Sequence, residues 1–68
     1  MQFSPEKARL LIARQALTQD NLSKKADLPL ITVTHALRGT RNPSLRTIGK
    51  LARGLGVDVT EIIVQEGA

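Results

Sequence analysis

Sixty-eight residues allow one domain built around one small core. There is no cysteine, hence no disulfide and no thiolate metal site, and no apolar run nears the roughly 20 residues of a membrane span. The net charge of +4 is unevenly spread: residues 1–56 hold all ten Lys and Arg against Glu6, Asp20 and Asp27, giving +7, while residues 57–68 hold Asp58, Glu61 and Glu66 and no base, giving −3.

A basic body with an acidic end suits a phosphate-bearing partner on one side, although many small domains are basic for solubility alone. Phe3 is the one aromatic residue. Readers of RNA and of single strands stack bases on several rings, so duplex DNA is the better-matched nucleic acid. The opening MQFSPEK has no basic flank ahead of an apolar stretch. A secretory signal is therefore not expected, and a cytoplasmic protein is the simplest reading.

In chain order, Ser4-Pro5-Glu6 predicts a helix start, with a capping hydroxyl, a proline at the first helical position and an acid near the positive end of the dipole. Ala8, Leu11, Ile12 and Gln15 trace one face of a helix running to about Ala16, and Leu10 and Ala13 widen its apolar band. Phe3 either staples back onto the first turn near Lys7 and Ala8 or packs into the core, with the core the expected place. Thr18 can cap a second helix, on which Leu22 and Ala26 share a face while Asp20, Ser23, Lys24 and Lys25 lie largely off it.

A break of four residues follows, Asp27-Leu28-Pro29-Leu30. The third helix cannot begin before Pro29, since proline is tolerated only in a first turn and biases Leu28 away from helix. Over about residues 30–38, Val33, Ala36 and Leu37 form its inward stripe, and Gly39 is a natural stop. Leu30, Ile31, Thr32, Thr34 and His35 fall mainly on other faces and make a small mixed surface at its N-terminal end. Leu28 to Thr34 is also the best strand candidate, being rich in β-branched residues, but its length and its proline favour helix. Two helices joined so tightly on a basic chain suggest a helix-turn-helix.

Gly39-Thr40-Arg41-Asn42-Pro43 reads as a loop, and Ser44 as the cap of a fourth helix. On that helix Leu45, Ile48, Leu51, Ala52 and Leu55 recur at helical spacing, Gly49 offers room for a close helix approach, and Gly54 and Gly56 end the segment. Asp58-Val59-Thr60-Glu61 has the D-x-x-E capping pattern. It predicts a fifth helix over roughly Val59 to Val64, with Ile62 inward and Gln65 to Ala68 fraying. The expected fold is all-α, a compact five-helix bundle forming one domain over residues 1–68.

The order and spacing of several short motifs resemble the Cro and phage-repressor type of helix-turn-helix protein. They are Leu17-Thr18-Gln19, Leu22, Ala26, Thr32-Val33-Thr34, Gly39, Asn42-Pro43-Ser44-Leu45, Ile48, Leu51-Ala52, Leu55-Gly56-Val57 and Glu61-Ile62-Ile63. The resemblance covers about residues 8 to 63. It implies a sequence-specific binder of double-stranded operator DNA, a transcription regulator of the repressor kind, usually acting as a homodimer. It further implies that Pro29, Leu30, Ile31, Thr32 and His35 face the bases of the major groove. By the same resemblance Thr18 caps the second helix, Gln19 meets a backbone phosphate, and Arg38, Arg41 and Asn42 follow the DNA backbone, with Arg46 close enough to join them.

The chain departs from that pattern in places. Many relatives have Gly where Asp27 stands, and Ser or Thr where Pro29 stands. Many carry an Arg–Glu pair at the positions of Ile12 and Leu37, which here should meet as hydrocarbon in the core. Leu30 and Ile31 replace the amides or guanidinium groups that read bases by bidentate hydrogen bonds, so thymine methyls are their expected targets unless one of them turns inward. Lys24, Lys25, Lys50 and Arg53 are expected to face solvent, and Arg9 and Arg14 are open.

Other chemistry finds little footing. His35 is the single histidine, no nucleophile–base pair is evident, and the glycines form no phosphate cradle. No catalytic residue, metal, cofactor, small-molecule ligand or membrane partner is expected. Val57, Val59, Ile63 and Val64 are apolar near the end of the chain and either form a dimer interface or finish the monomer core. The competing reading is a helical protein-interaction module, such as an antitoxin, that binds a partner through the fifth helix.

Overall fold

A computed structural model describes residues 2–64. Helix α1 spans Pro5–Gln15, α2 Gln19–Ala26, α3 Leu30–Arg38 and α4 Leu45–Leu55; a single 3-10 turn follows at Val59–Glu61. Two short strands, β1 (Gln2–Phe3) and β2 (Ile63–Val64), join the two ends of the chain as an antiparallel pair, with Gln2 opposite Val64 and Phe3 opposite Ile63.

Local chemistry accounts for most helix boundaries. Ser4, Thr18 and Ser44 each accept a hydrogen bond from the backbone N–H three residues on, at Lys7, Asn21 and Thr47. Each such cap stabilises its helix by about 1 kcal/mol. All four helices end alike: a residue at positive φ turns the chain, and its own N–H and that of the following residue bond back to carbonyls of the last turn. Gly39 and Gly56 take this conformation freely, whereas Ala16 (φ 53°) and Asp27 (φ 56°) hold it with a side chain present.

The core gathers the inward stripes. Ala8, Leu22, Ala26, Val33, Ala36, Leu37, Ile48, Leu51, Ala52, Leu55 and Ile62 are buried together with Phe3 and Ile63, and Ile12, Leu11, Leu17, Leu28, Val57 and Val59 pack against them half-buried. Ile12 thus adds hydrocarbon to the cluster that contains Leu37. The most extensive helix contact is between α2 and α4. Gly54 allows it: a Cβ there would lie 2.9 Å from the Ala26 Cβ and 3.0 Å from the Ala26 backbone nitrogen. This corrects two expectations. Gly54 lies inside α4 and does not end it, and the close approach is at Gly54, since a Cβ at Gly49 would meet nothing within 4 Å.

Side chains of α1 also hold carbonyls of other elements. Arg9 Nη1 donates to the Leu37 carbonyl at 2.6 Å, Gln15 Nε2 to Leu55 at 2.7 Å, and Lys7 Nζ to Ile63 at 3.0 Å. Lys50, expected in solvent, is half-buried with its Nζ 3.5 Å from the Asp27 carbonyl, at the negative end of α2.

Other expectations fail for the same reason, that helical spacing does not say how wide a buried stripe is. Leu10 (54% exposed) and Leu45 (69% exposed) lie outside the core, as does Ala13. Ser23 is buried, its hydroxyl donating to the Asp20 carbonyl at 2.7 Å. There are four α-helices among the described residues, not five. Asp58 caps only a 3-10 turn, accepting from the Thr60 N–H and hydroxyl, and the chain then straightens into β2. Strand alternation turns Ile63 inward beside Phe3 and leaves Val64 exposed. Of the four residues considered for a dimer surface, Ile63 therefore closes the monomer core, Val57 and Val59 are half-buried, and Val64 is exposed. The expected fraying of Gln65 to Ala68 lies outside the described residues.

Candidate nucleic-acid interface

The turn between α2 and α3 sets the site. Asp27 takes the left-handed conformation, Leu28 N–H reaches back to the Ser23 carbonyl at 2.9 Å, and Pro29 redirects the chain into α3. With Val33, Ala36 and Leu37 buried, the opposite side of α3 has to point outward. Leu30 (46%) and Ile31 (60%) are both exposed, so neither turns into the core. Pro29 beside them is exposed, while Thr32 and His35 are half-buried at the edge of the same surface.

Polar groups border this surface. Thr32 and His35, with Ala36, line one side of an open groove of about 130 Å³, and Arg41, Asn42, Pro43 and Thr47 line the other. Arg38, Arg41, Asn42 and Arg46 are all exposed. At the start of α2, Thr18 is engaged as the cap, and Gln19 Oε1 accepts a hydrogen bond from the Thr34 hydroxyl at 3.0 Å. That bond ties α2 to α3 and directs the amide, leaving Nε2 as the donor for an outside acceptor.

Pro29 offers no side-chain cap to the first N–H groups of α3, at the positive end of its dipole. Charge strengthens the picture. Residues 28–57 contain five cations and no acid. Among the described residues the one ion pair is Lys24–Asp20, at 3.2 Å on the exposed flank of α2. Lys7, Arg9 and Lys50 are occupied with carbonyls. Arg38, Arg41 and Arg46 thus stand around α3 without a carboxylate partner among the described residues.

The structure brings Thr32, His35, Arg41 and Asn42 together in the groove, while Pro29, Leu30 and Ile31 are exposed and do not line it. It adds Thr47, to which the sequence reading gave no role, and gives Thr34, already expected on the outward surface, a partner in Gln19. No local pattern marks Thr47 for the site, because the groove exists only where α3, the loop after it and the start of α4 meet. Among the described residues no cluster of His, Asp and Glu could hold a metal ion, and no helix is long and apolar enough to cross a membrane.

A solvent-facing third helix, set by a tight turn and bordered by arginines without a carboxylate partner among the described residues, defines a helix-turn-helix nucleic-acid binder. The chain belongs to the helix-turn-helix family, whose model matches residues 7–62, the family that the residues themselves resemble. Among solved structures it is similar to the restriction-modification controller protein C.AhdI from Aeromonas hydrophila, with 33% identity, a TM-score of 0.79, and coverage of 84% of this chain and 86% of that one. No curated protein sequence matches it. The protein is a DNA-binding transcription regulator.

Proposed function

We propose that this regulator lays α3 in the major groove of an operator and represses the genes beside it. In this reading Pro29, Leu30, Ile31, Thr32 and His35 face base edges. Thr18, Gln19, Arg38, Arg41, Asn42 and Arg46 follow the phosphates, with Gln19 held in position by Thr34. The observation that carries it is the bare outer side of α3, exposed at Leu30 and Ile31 within a stretch of thirty residues that holds no acid. Direct readout by hydrogen bonds is then modest, and backbone and shape contacts supply much of the affinity.

The similarity to a restriction-modification controller protein supports a regulatory role. Repression follows if the bound protein covers promoter DNA. A homodimer would match a palindromic operator, and exposed Val64 on β2, together with half-buried Val57 and Val59, is the surface we assign to it.

A gel shift with the DNA flanking the gene tests the proposal directly. Binding should weaken steeply as salt rises, about tenfold or more over a modest increase. Replacing Arg38 and Arg41 with Ala should make the salt slope shallower by roughly 2, near one per lost phosphate contact, and leave the melting temperature unchanged. Binding that ignores salt would point instead to a protein partner held by apolar contact.

A further inference from the structure

We propose that the apolar tip of α3 reads the C5-methyl group of pyrimidines and takes thymine and 5-methylcytosine alike. The proposal rests on α3 lying in the major groove.

Leu30 and Ile31 are adjacent, both exposed, and placed in the first turn of α3. They are outside because Val33, Ala36 and Leu37 fill the inward stripe. Neither side chain can donate or accept a hydrogen bond, so neither can use the amides, ring nitrogens or carbonyl oxygens of base edges. The apolar feature the major groove displays is the methyl group on C5 of thymine. Arg38, Arg41 and Arg46, without carboxylate partners among the described residues, draw the phosphates toward this side.

Thymine and cytosine differ at position 4, where one carries an acceptor oxygen and the other a donor amine. A polar reader separates them there, and a Leu or Ile side chain does not. Methylated cytosine bears its methyl group where thymine does. At the base met by Leu30 or Ile31, cytosine methylation therefore strengthens binding. Burying one methyl group corresponds to about a fourfold change in affinity.

The test begins with a duplex selected from a randomised pool by the full chain. The duplex is resynthesised with deoxyuridine in place of each thymidine in turn, which removes only the methyl group. A second set places cytosine, then 5-methylcytosine, at each position that responds. One or two positions per half-site should weaken about fourfold with deoxyuridine, and 5-methylcytosine should bind about fourfold tighter than cytosine there. In Leu30→Ala or Ile31→Ala, thymidine and deoxyuridine should become equivalent at such a position. Both residues are exposed, so the variants should melt with the parent.

Deoxyuridine that is silent everywhere, or an effect that survives in both variants, overturns the proposal. Protection of guanine N7 from dimethyl sulfate separates the two levels of failure. Protection with silent deoxyuridine leaves α3 in the groove and removes methyl reading, whereas no protection removes both.

Discussion

The helix-turn-helix, residues 18–39, and the clasp made by the two chain ends are held by opposite means. The first is short-range. Thr18 caps α2, Asp27 and Gly39 turn the chain, and each bond spans a few residues. The clasp is long-range: Ser4 N–H meets the Ile62 carbonyl at 2.8 Å, Lys7 meets Ile63, and β1 pairs with β2 across the length of the chain. The difference teaches that the helix-turn-helix is prearranged by its own sequence, while its stability is borrowed from elements far along the chain.

Substituting core leucine or isoleucine in each region probes that division most strongly. Leu22→Ala, in α2, should cost about 3–5 kcal/mol, and Ile62→Ala, in the clasp, about 2–4 kcal/mol, since both side chains are fully buried. A chain of this size has only about 3–10 kcal/mol in total. Urea unfolding followed by circular dichroism should show one transition in each case. Two separate transitions for Ile62→Ala would mean that the helix-turn-helix stands without the clasp.

Gly54→Ala attacks the α2–α4 contact that joins the regions. The added methyl meets Ala26 backbone, which cannot move aside cheaply. The cost should be about 1–2 kcal/mol even after the better helix propensity of Ala, read as a fall in melting temperature. The reverse change sharpens the local side. Ala16→Gly relieves a left-handed conformation at an exposed position and should raise stability by about 1 kcal/mol in the same melting experiment.

The smallest effect belongs to Asp58 at the entrance to the clasp. Hydrogen bonds from the Thr60 hydroxyl and N–H hold its carboxyl below the ordinary value of 3.8. A folded-state value below the unfolded one adds stability above pH 3.8, which is lost as pH falls through the folded-state value. Asp58→Ala should therefore be slightly less stable than the parent near neutral pH, and the gap should narrow below about pH 3.8. Parallel melts across that range check the sign.

Much of this was legible from residue order. Ser4-Pro5, Thr18, Pro29, Ser44 and Gly39 mark helix ends because capping and φ restriction act within one turn. Leu22, Ala26, Val33, Ala36 and Leu37 declare their faces by spacing, and once α3 has an inside its outside follows. Leu45 and Leu10 were misjudged because apolarity at helical spacing gives a direction without saying where neighbours stop. The fifth helix failed because Asp58 promises a start, and nothing local says whether three residues or seven will follow.

By itself the sequence determined the first four helices and the tight turn between the second and third, since caps, turns and helical spacing act over four residues or fewer, and its composition set a basic middle free of acids. The tertiary structure alone decided that Gly54 lets α2 and α4 close, that Thr34 steers Gln19, and that Ile63 turns inward on a strand paired with Phe3. Those outcomes depend on which surfaces meet, and that choice is made by packing the whole chain at once.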